Sequence, residues 1–297
     1  MSQSLIFITG ATGFIGAHVV AQTLEAGHHV RLSVRKESQI SSLKELFAGH
    51  ESKLDFAVIP DLTKPGAFDQ ALQGAEYVFH LASPMPGKGS DFKTDYLGPA
   101  VEEGANQSIP VDPDMEFPSD PRANAGFKYH ASKILAHRAV LEWVPKNQPG
   151  FSVVTLHPSF VFGRNLHQKS HDQIDGTNAM LWESLFSEKP LVPMATVDVR
   201  DVALAHLKAL DLEIKEKATV QEFLLSAPKA TGWEWERVAS FVREKYPALD
   251  IKLKGPFDEP PTVEAKRAAE LLGIHWRSME DTISSFLDQQ VELKSQL

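Results

Sequence analysis

Along roughly the first eighty residues, segments with apolar residues at helical spacing alternate with short apolar or alternating segments typical of strands. Between the first two strand-like segments, Ile15, Val19 and Leu24 share one helical face, and Gly27 offers a left-handed helix end. A short helix is predicted at Thr63–Leu72, with Pro65 near its start. Short apolar or alternating runs predict four strands, at Leu5–Thr9, His29–Val34, Leu54–Ile59 and Tyr77–Ala82. Strands separated by helices in this way predict a doubly wound parallel α/β sheet.

The pattern changes after Ala82. Seven prolines lie between Pro84 and Pro121, and no strand is predicted in that segment. Helices and strands then resume, and the C-terminal part is mostly helical. The predicted elements are a helix at Phe127–Val144 closed by Pro145, a strand at Phe151–His157, a helix at Val199–Leu210, a strand at Glu222–Ala227, helices at Trp235–Tyr246 and Val263–Leu272, and a final helix capped by Ser278 with Asp281.

Composition narrows the class of protein. The 297 residues carry a net charge of -9, which disfavours nucleic acid as a partner. There is no cysteine, so disulfides, zinc-thiolate sites and cysteine nucleophiles are excluded. The longest apolar stretch, Leu5–Val20, is interrupted by glycines and threonines and has no basic leader, so neither a signal peptide nor a membrane span is expected. We expect a cytoplasmic protein that is a monomer or a homodimer.

A glycine-rich motif between the first strand and the first helix is the strongest functional signal. The sequence I-T-G-A-T-G-F-I-G covers Ile8–Gly16. In such a turn the first glycine permits a tight bend, the second lets the backbone approach a pyrophosphate, and the third allows close packing of helix on sheet. The helix start then offers backbone N–H groups to an anion. The predicted dinucleotide-binding residues here are Gly10, Gly13, Phe14, Ile15 and Gly16.

Residues after the second and third strands bear on the choice of cofactor. An acidic residue after the second strand would hold the 2′-hydroxyl of NAD, whereas this chain has Arg35 and Lys36. The arginine fork suits a 2′-phosphate, so NADP is the predicted cofactor, with a solvated surface pair as the alternative. Asp61 and Leu62 follow the third strand, where an adenine ring would lie. A capping role for Asp61 is the alternative interpretation.

Tyr129 and Lys133 stand four residues apart in Y-H-A-S-K, within a predicted helix. Both side chains therefore project from one helical face. A neighbouring ammonium group stabilises phenolate, so this tyrosine could give a proton to a carbonyl oxygen as hydride arrives. The lysine could also hydrogen-bond the nicotinamide ribose. The pair is predicted to be catalytic and to contact the cofactor, since it follows a nucleotide fingerprint in the same chain.

Together, several segments resemble the extended short-chain dehydrogenase/reductases, in particular the group with dihydroflavonol reductase and the fungal methylglyoxal or aldehyde reductases. The resemblance rests on T-G-A-T-G-F-I-G from Thr9, V-F-H-L-A-S-P from Val78, Y-H-A-S-K from Tyr129, H-P-S-F-V-F-G from His157, V-D-V-R-D-V-A-L-A-H from Val197 and A-K-R-A-A-E-L-L-G from Ala265. It implies a Rossmann-type doubly wound parallel sheet with a smaller, mostly helical substrate domain. It also implies cofactor contacts from Ala82, Ser83, Pro158, Ser159 and Phe160.

The resemblance further implies NADPH-dependent reduction of a small carbonyl compound. We expect the dinucleotide-binding domain to span 1–163, with 196–227 returning to it, and the substrate-binding domain to span 164–297.

One departure from this family concerns the segment before Tyr129. Members have a long helix and a fifth strand there, and that strand ends in a serine that binds the substrate carbonyl. Only 49 positions separate His80 from Tyr129 (129 − 80), roughly thirty too few for those elements and their loops. Ser108 stands at a tempting distance but has no predicted strand before it, and is interpreted as a loop serine. The fifth strand is therefore expected to be missing.

Three functions remain open on the sequence. The first is NADPH-dependent reduction of an aldehyde or ketone, with Tyr129 as proton donor. The second is a catalytically impaired NADP-binding module, or a shortened splice or gene-model product. The third is an NAD-dependent sugar-nucleotide epimerase or dehydratase, which Arg35 disfavours. His167 and His171 have helical metal-ligand spacing but no nearby carboxylate, so no metal site is predicted.

Overall fold

The first four strands form a parallel sheet in a computed structural model of the chain. The model describes residues 3–83, 116, 119–216, 218–259, 263 and 265–295, with the side chains of 121–123 outside the description. The strands are β1 (Leu5–Thr9), β2 (His29–Val34), β3 (Leu54–Val58) and β4 (Tyr77–His80). Their order is β3-β2-β1-β4, and Ile6 lies beside Val30 on one side and Tyr77 on the other. The predicted parallel α/β fold is confirmed.

Two helices connect the first three strands along the chain. Helix α1 (Phe14–Glu25) begins directly after the glycine turn, and Gly27 follows it at a φ of 95°. That left-handed conformation is the predicted helix end. Helix α2 (Ser38–Leu46) follows β2 and buries Leu43. The sequence analysis did not predict α2, although Ile40, Leu43 and Phe47 recur there at helical spacing.

The predicted helix at Thr63–Leu72 is wrong. The chain makes consecutive turns here instead, with Gly66 inside the predicted helix at a φ of 77° and Gly74 just after it at 76°. Left-handed glycines so close together interrupt helical hydrogen bonding. The segment still contributes to the core, because Phe68 meets the Phe7 ring edge-on at 6.0 Å.

The remaining predicted elements are present with shifted ends, and three further elements, at Phe160–Phe162, Gly176–Leu185 and Thr196–Asp198, were not predicted. Helix α3 (Pro121–Asn147) starts six residues before the predicted one and passes through Pro145, which was expected to close it. The next elements are strands β5 (Val153–Pro158) and β6 (Phe160–Phe162), helix α4 (Gly176–Leu185), strand β7 (Thr196–Asp198), helix α5 (Val199–Ala209) and strand β8 (Val220–Leu225). Three helices end the chain, α6 (Trp235–Lys245), α7 (Lys266–Leu272) and α8 (Met279–Lys294).

The later strands are not hydrogen-bonded to the first sheet. Strand β5 pairs with β8, and β6 pairs in parallel with β7. Among the described residues, β1 is the hydrogen-bonded neighbour of β4. Within the described ranges the first sheet thus ends at β4; the segment expected to lack a fifth strand lies mostly outside them, so that expectation stays a prediction.

The chain divides into two compact units. One comprises residues 1–16, 23–157 and 213–222, and the other comprises 17–22, 158–212 and 223–297. The roles expected for 1–163 and 164–297 stay predictions. Within the described residues, no helix is both long enough and apolar enough to cross a membrane.

The second unit has its own apolar core, in which Trp233, Trp235 and Phe286 are buried. Helix α8 begins as predicted, since the backbone N–H of Asp281 donates to Oγ of Ser278 at 3.1 Å. The motif V-D-V-R-D also has a structural role in this unit. Asp198 caps α5 and binds Arg200, and the buried carboxylate of Asp201 pairs with Arg277.

Candidate functional site

The glycine turn between β1 and α1 is closely packed on its inner side and open at its centre. Gly10 has a φ of 75°, and a Cβ atom there would lie 2.6 Å from the carbonyl carbon of Leu81. A Cβ on Gly16 would lie 2.1 Å from the carbonyl oxygen of Gly10. Gly13 is exposed, and its N–H donates to that same oxygen at 2.9 Å. Gly10 and Gly16 thus serve packing, while Gly13 leaves its backbone accessible to a ligand.

Thr9 connects the glycine turn to the end of β4. Its side chain is buried, and Oγ1 accepts hydrogen bonds from the backbone N–H groups of Leu81 and Ala82, both at 3.1 Å. The same oxygen lies 2.9 Å from Nδ1 of His80. One hydroxyl therefore fixes the backbone next to Ala82 and Ser83, two of the predicted cofactor residues.

Lys133 and Tyr129 lie on α3 and connect with the end of β4. Nζ of Lys133 donates a short hydrogen bond to Oγ of Ser83. The same ammonium group is 5.7 Å from the centre of the Tyr129 ring. Oγ of Ser132 donates to the carbonyl oxygen of Tyr129 at 2.7 Å, and the His130 ring meets the Tyr129 ring edge-on. The predicted catalytic pair and Ser83 thus form one contact network.

The turn after β2 exposes two basic side chains. Arg35 and Lys36 are exposed, and their backbone N–H groups donate to Oε1 of Gln39 at 2.9 and 3.2 Å. Arg31, in contrast, binds the carboxylate of Asp55 at 2.6 Å and two backbone carbonyl oxygens. Arg31 is thus held within the fold, whereas Arg35 and Lys36 extend into solvent from a turn that Gln39 shapes.

Asp61 and Leu62 differ in their surroundings. Oδ1 of Asp61 accepts from the backbone N–H and the hydroxyl of Thr63, at 3.0 and 2.6 Å. These two hydrogen bonds lower the pKa of the Asp61 carboxyl. Asp61 therefore closes a local turn with Thr63, but it caps no helix, because this segment forms turns instead. Leu62 packs against Phe7 and its neighbours in the core.

The three predicted cofactor residues after β5 belong to the second unit. The N–H of Ser159 donates to the carbonyl oxygen of Leu225 at 2.9 Å, and its hydroxyl lies 3.2 Å from Oγ of Ser226. The N–H of Phe160 donates to the carbonyl oxygen of Ala195 at 3.0 Å. Pro158 ends β5 and is exposed. Ser108, the candidate loop serine, lies outside the described residues.

The first unit has the chemistry that a nicotinamide dinucleotide requires. Gly13 offers open backbone at the start of α1, which favours a pyrophosphate. Arg35 and Lys36 offer positive charge at the end of β2, and Lys133 offers an ammonium beside Ser83. These residues fit an NADP-type cofactor, which, when bound, supplies a hydride. Tyr129, the predicted proton donor, lies on the same helix as Lys133.

The sequence analysis missed two residues of this site. Thr9 was quoted only as part of a motif, although it bonds to residues seventy positions away. Gln39 was not considered, although it orders the turn that bears Arg35 and Lys36. A buried hydroxyl at the end of a central strand was a usable signal for Thr9. No signal in the sequence singled out Gln39.

Comparison with known proteins agrees with this arrangement. A family model described as NAD(P)H-binding matches residues 10–109. The ketoreductase sphI of Aspergillus fumigatus is 32% identical, with 98% of this chain and 99% of that protein covered. The crystal structure of yeast methylglyoxal/isovaleraldehyde reductase Gre2 with NADPH is 23% identical and has a TM-score of 0.74, covering 99% and 100% of the two chains. Vestitone reductase from alfalfa is 21% identical, with a TM-score of 0.70 and the same coverage.

The alignment with sphI also measures how short this chain is. It runs over 341 positions, of which this chain fills about 291, that is 98% of 297. About fifty positions (341 − 291) therefore have no residue of this chain.

Three findings agree on the family of this chain: the full-length similarity to sphI, the family match over the glycine turn and the shared fold. The quoted motifs of the cofactor turn and of the tyrosine helix lie in one unit, as they would in a nicotinamide-dependent oxidoreductase. The chain belongs to the extended short-chain dehydrogenase/reductases, a family of NAD(P)-binding Rossmann-fold proteins.

Proposed function

We propose that this protein reduces an aldehyde or ketone to an alcohol with NADPH. Tyr129 gives its phenolic proton to the carbonyl oxygen, and Lys133 orients Tyr129 and binds the nicotinamide ribose. The observation that carries the proposal is the contact network of Lys133 with Ser83 and with the Tyr129 ring. It links the proton donor to the end of β4, which Thr9 ties to the glycine turn.

The choice of NADPH rests on charge. Arg35 and Lys36 are exposed at the end of β2, where a 2′-phosphate would lie, and no carboxylate precedes them on that strand. The relative of known structure, Gre2, was crystallised with NADPH. Replacing both residues, in Arg35→Ala/Lys36→Ala, is expected to weaken NADPH binding at least tenfold while changing NADH binding little.

A second candidate function is cofactor binding without catalysis. It is favoured by the short spacing between His80 and Tyr129 and by the alignment positions with sphI at which this chain has no residue. In the family that this chain resembles, the segment expected to be missing provides a serine that donates to the substrate oxygen. Losing one such donor costs about a hundred- to a thousand-fold in rate.

One measurement separates the two candidates. NADPH binding is measured by fluorescence titration, and NADPH oxidation is followed with a panel of small aldehydes and ketones. Reduction of at least one carbonyl compound supports the reductase. Binding in the micromolar range without turnover of any compound would select the binding module instead.

The role of Tyr129 has its own test. In Tyr129→Phe the ring and its contact with Lys133 are kept but the proton donor is lost, so kcat is expected to fall at least a hundredfold with unchanged NADPH affinity. Tyr77→Phe, at an exposed position on β4, is the matched control and should keep full activity. Unchanged kcat in Tyr129→Phe would rule out this tyrosine as the proton donor.

A further inference from the structure

Three side chains of metal-ligand type converge away from the nucleotide turn. His137 lies on α3, His157 on β5 and Glu222 on β8. One ring nitrogen of each histidine and one carboxylate oxygen of Glu222 all lie within 4.8 Å of one another. Nε2 of His137 is 2.6 Å from Oε1 of Glu222, and the two imidazole rings are 4.8 Å apart and nearly perpendicular. Residues far apart in sequence thus form one compact donor set.

Hydrogen bonding within the protein does not satisfy this cluster. His137 is only 2% exposed, and its Nδ1 has no hydrogen-bond partner within the described part of the chain. A simple ion pair with Glu222 therefore leaves a buried ring nitrogen unpaired, which is unfavourable and uncommon. Nε2 of His137 is engaged by Glu222, whereas its Nδ1 is available to a further group.

The donor types match a particular class of ion. Two imidazoles and one carboxylate are a recognised set for zinc and similar divalent transition metals. Ligand atoms about 2.0–2.2 Å from such an ion are themselves roughly 3.4 Å apart, so shifts of about 1 Å would complete the site.

The surroundings support an accessible and oriented site. Oγ1 of Thr155 lies 2.9 Å from Nε2 of His157 and holds that ring, as second contacts of metal-binding histidines commonly do. The Glu222 side chain is 44% exposed, so an ion can enter from solvent. His167 and His171, the pair with helical spacing, are not part of any three-residue donor group among the described residues.

We propose that His137, His157 and Glu222 bind one divalent transition-metal ion, with Zn²⁺ preferred. The ion joins α3 to β5 and β8. The β5–β8 pair is not hydrogen-bonded to the first sheet within the described residues. A metal link at this point ties the β5–β8 pair to α3 and thereby stabilises it.

The test uses tag-free, full-length protein freed of metal with EDTA. Zn²⁺ is titrated in, bound zinc is counted after dialysis, and Tm is followed. One equivalent is expected to bind with micromolar or tighter affinity and to raise Tm by several degrees. Co²⁺ in place of Zn²⁺ should give the visible absorption of a four-coordinate site. Absence of stoichiometric binding, or of any Tm change with bound zinc, would overturn the proposal.

Matched variants locate the ion. Glu222→Gln and His157→Gln are each expected to weaken zinc binding at least tenfold. His167→Gln/His171→Gln removes two imidazoles elsewhere and should leave binding unchanged. Should His157→Gln fail to fold, Glu222→Gln decides alone, because its exposed side chain carries little packing. Unaltered zinc affinity in Glu222→Gln contradicts the assignment. Loss of zinc binding only in His167→Gln/His171→Gln contradicts it as well.

Discussion

The two ends of strand β4 differ in how firmly they are held. At its carboxyl end, the backbone of Leu81 and Ala82 binds Thr9 and presses against Gly10 at separations that leave no room for a methyl group. Toward its start, Tyr77 and Val78 are 39% and 50% exposed, although the strand lies beside the fully buried β1. The same four-residue strand is thus tightly packed at the cofactor turn and thinly covered where it enters the sheet.

Cofactor binding and sheet stability therefore depend on different ends of β4. The glycine turn depends on β1, α1 and the end of β4, all of which are present in the described residues. At the other end of β4, the strand that pairs with Tyr77 and Val78 within the described residues is β1 alone. We therefore expect cofactor binding to tolerate the shortening better than sheet stability does.

Gly10→Ala is the most damaging change expected at the packed end. The alanine would have to adopt a left-handed backbone conformation, and its Cβ would clash with the backbone of Leu81 and Ala82. The two costs together come to about 3 kcal/mol or more in free energy of unfolding, and NADPH affinity should fall at least tenfold. Urea denaturation and fluorescence titration measure these two quantities.

Gly49→Ala is the control for that variant. Gly49 also has a positive φ, of 88°, but nothing lies within 4 Å of its added Cβ. Its cost should be about 1 kcal/mol, from backbone strain alone. Equal costs for the two variants would show that the close approach of β4 to Gly10 contributes nothing.

Thr9→Val is the next largest change, since it keeps the shape of the side chain but removes the shared oxygen. Two backbone N–H groups then lose their acceptor, and we expect about 2 kcal/mol of destabilisation together with weaker NADPH binding. Thr63→Val removes an exposed hydroxyl that binds only Asp61, and should cost less than about 1 kcal/mol. A Thr9→Val protein as stable as Thr63→Val would contradict the linking role of Thr9.

Val78→Ala has the smallest expected effect and examines the thinly covered end of β4. Val78 is half exposed, so its truncation should cost less than about 0.7 kcal/mol. Val30→Ala, at a fully buried position on β2, should cost about 2–3 kcal/mol. If the two variants lose equal stability, another part of the chain or a second copy covers Val78 in solution.

Much of the fold could be predicted from periodicity, and the failures have physical causes. Strands β1 and β2 were predicted to the residue because their apolar runs are flanked by glycines and polar residues. The helix at Thr63–Leu72 failed because Gly66 and Gly74 adopt left-handed conformations, which composition cannot reveal. Pro145 was expected to end its helix, but the last turn continues past it to Asn147.

The candidate site was only partly visible in the sequence. Local spacing was sufficient to place Gly10 and Gly16 in the turn and to pair Tyr129 with Lys133. The bond between Lys133 and Ser83 and the cluster of His137, His157 and Glu222 depend on chain segments brought together by tertiary folding. Such proximity has no periodic signature in a single sequence.

The hydroxyl of Thr9 has a consequence for the order of events during synthesis. The glycine turn emerges from the ribosome early, yet its bonding partners Leu81 and Ala82 follow 72 and 73 residues later. Closing so long a loop costs entropy before the contacts repay it. The cofactor turn is therefore expected to gain its final shape only after β4 has been translated, so a nascent chain arrested before that point should not yet retain nucleotide.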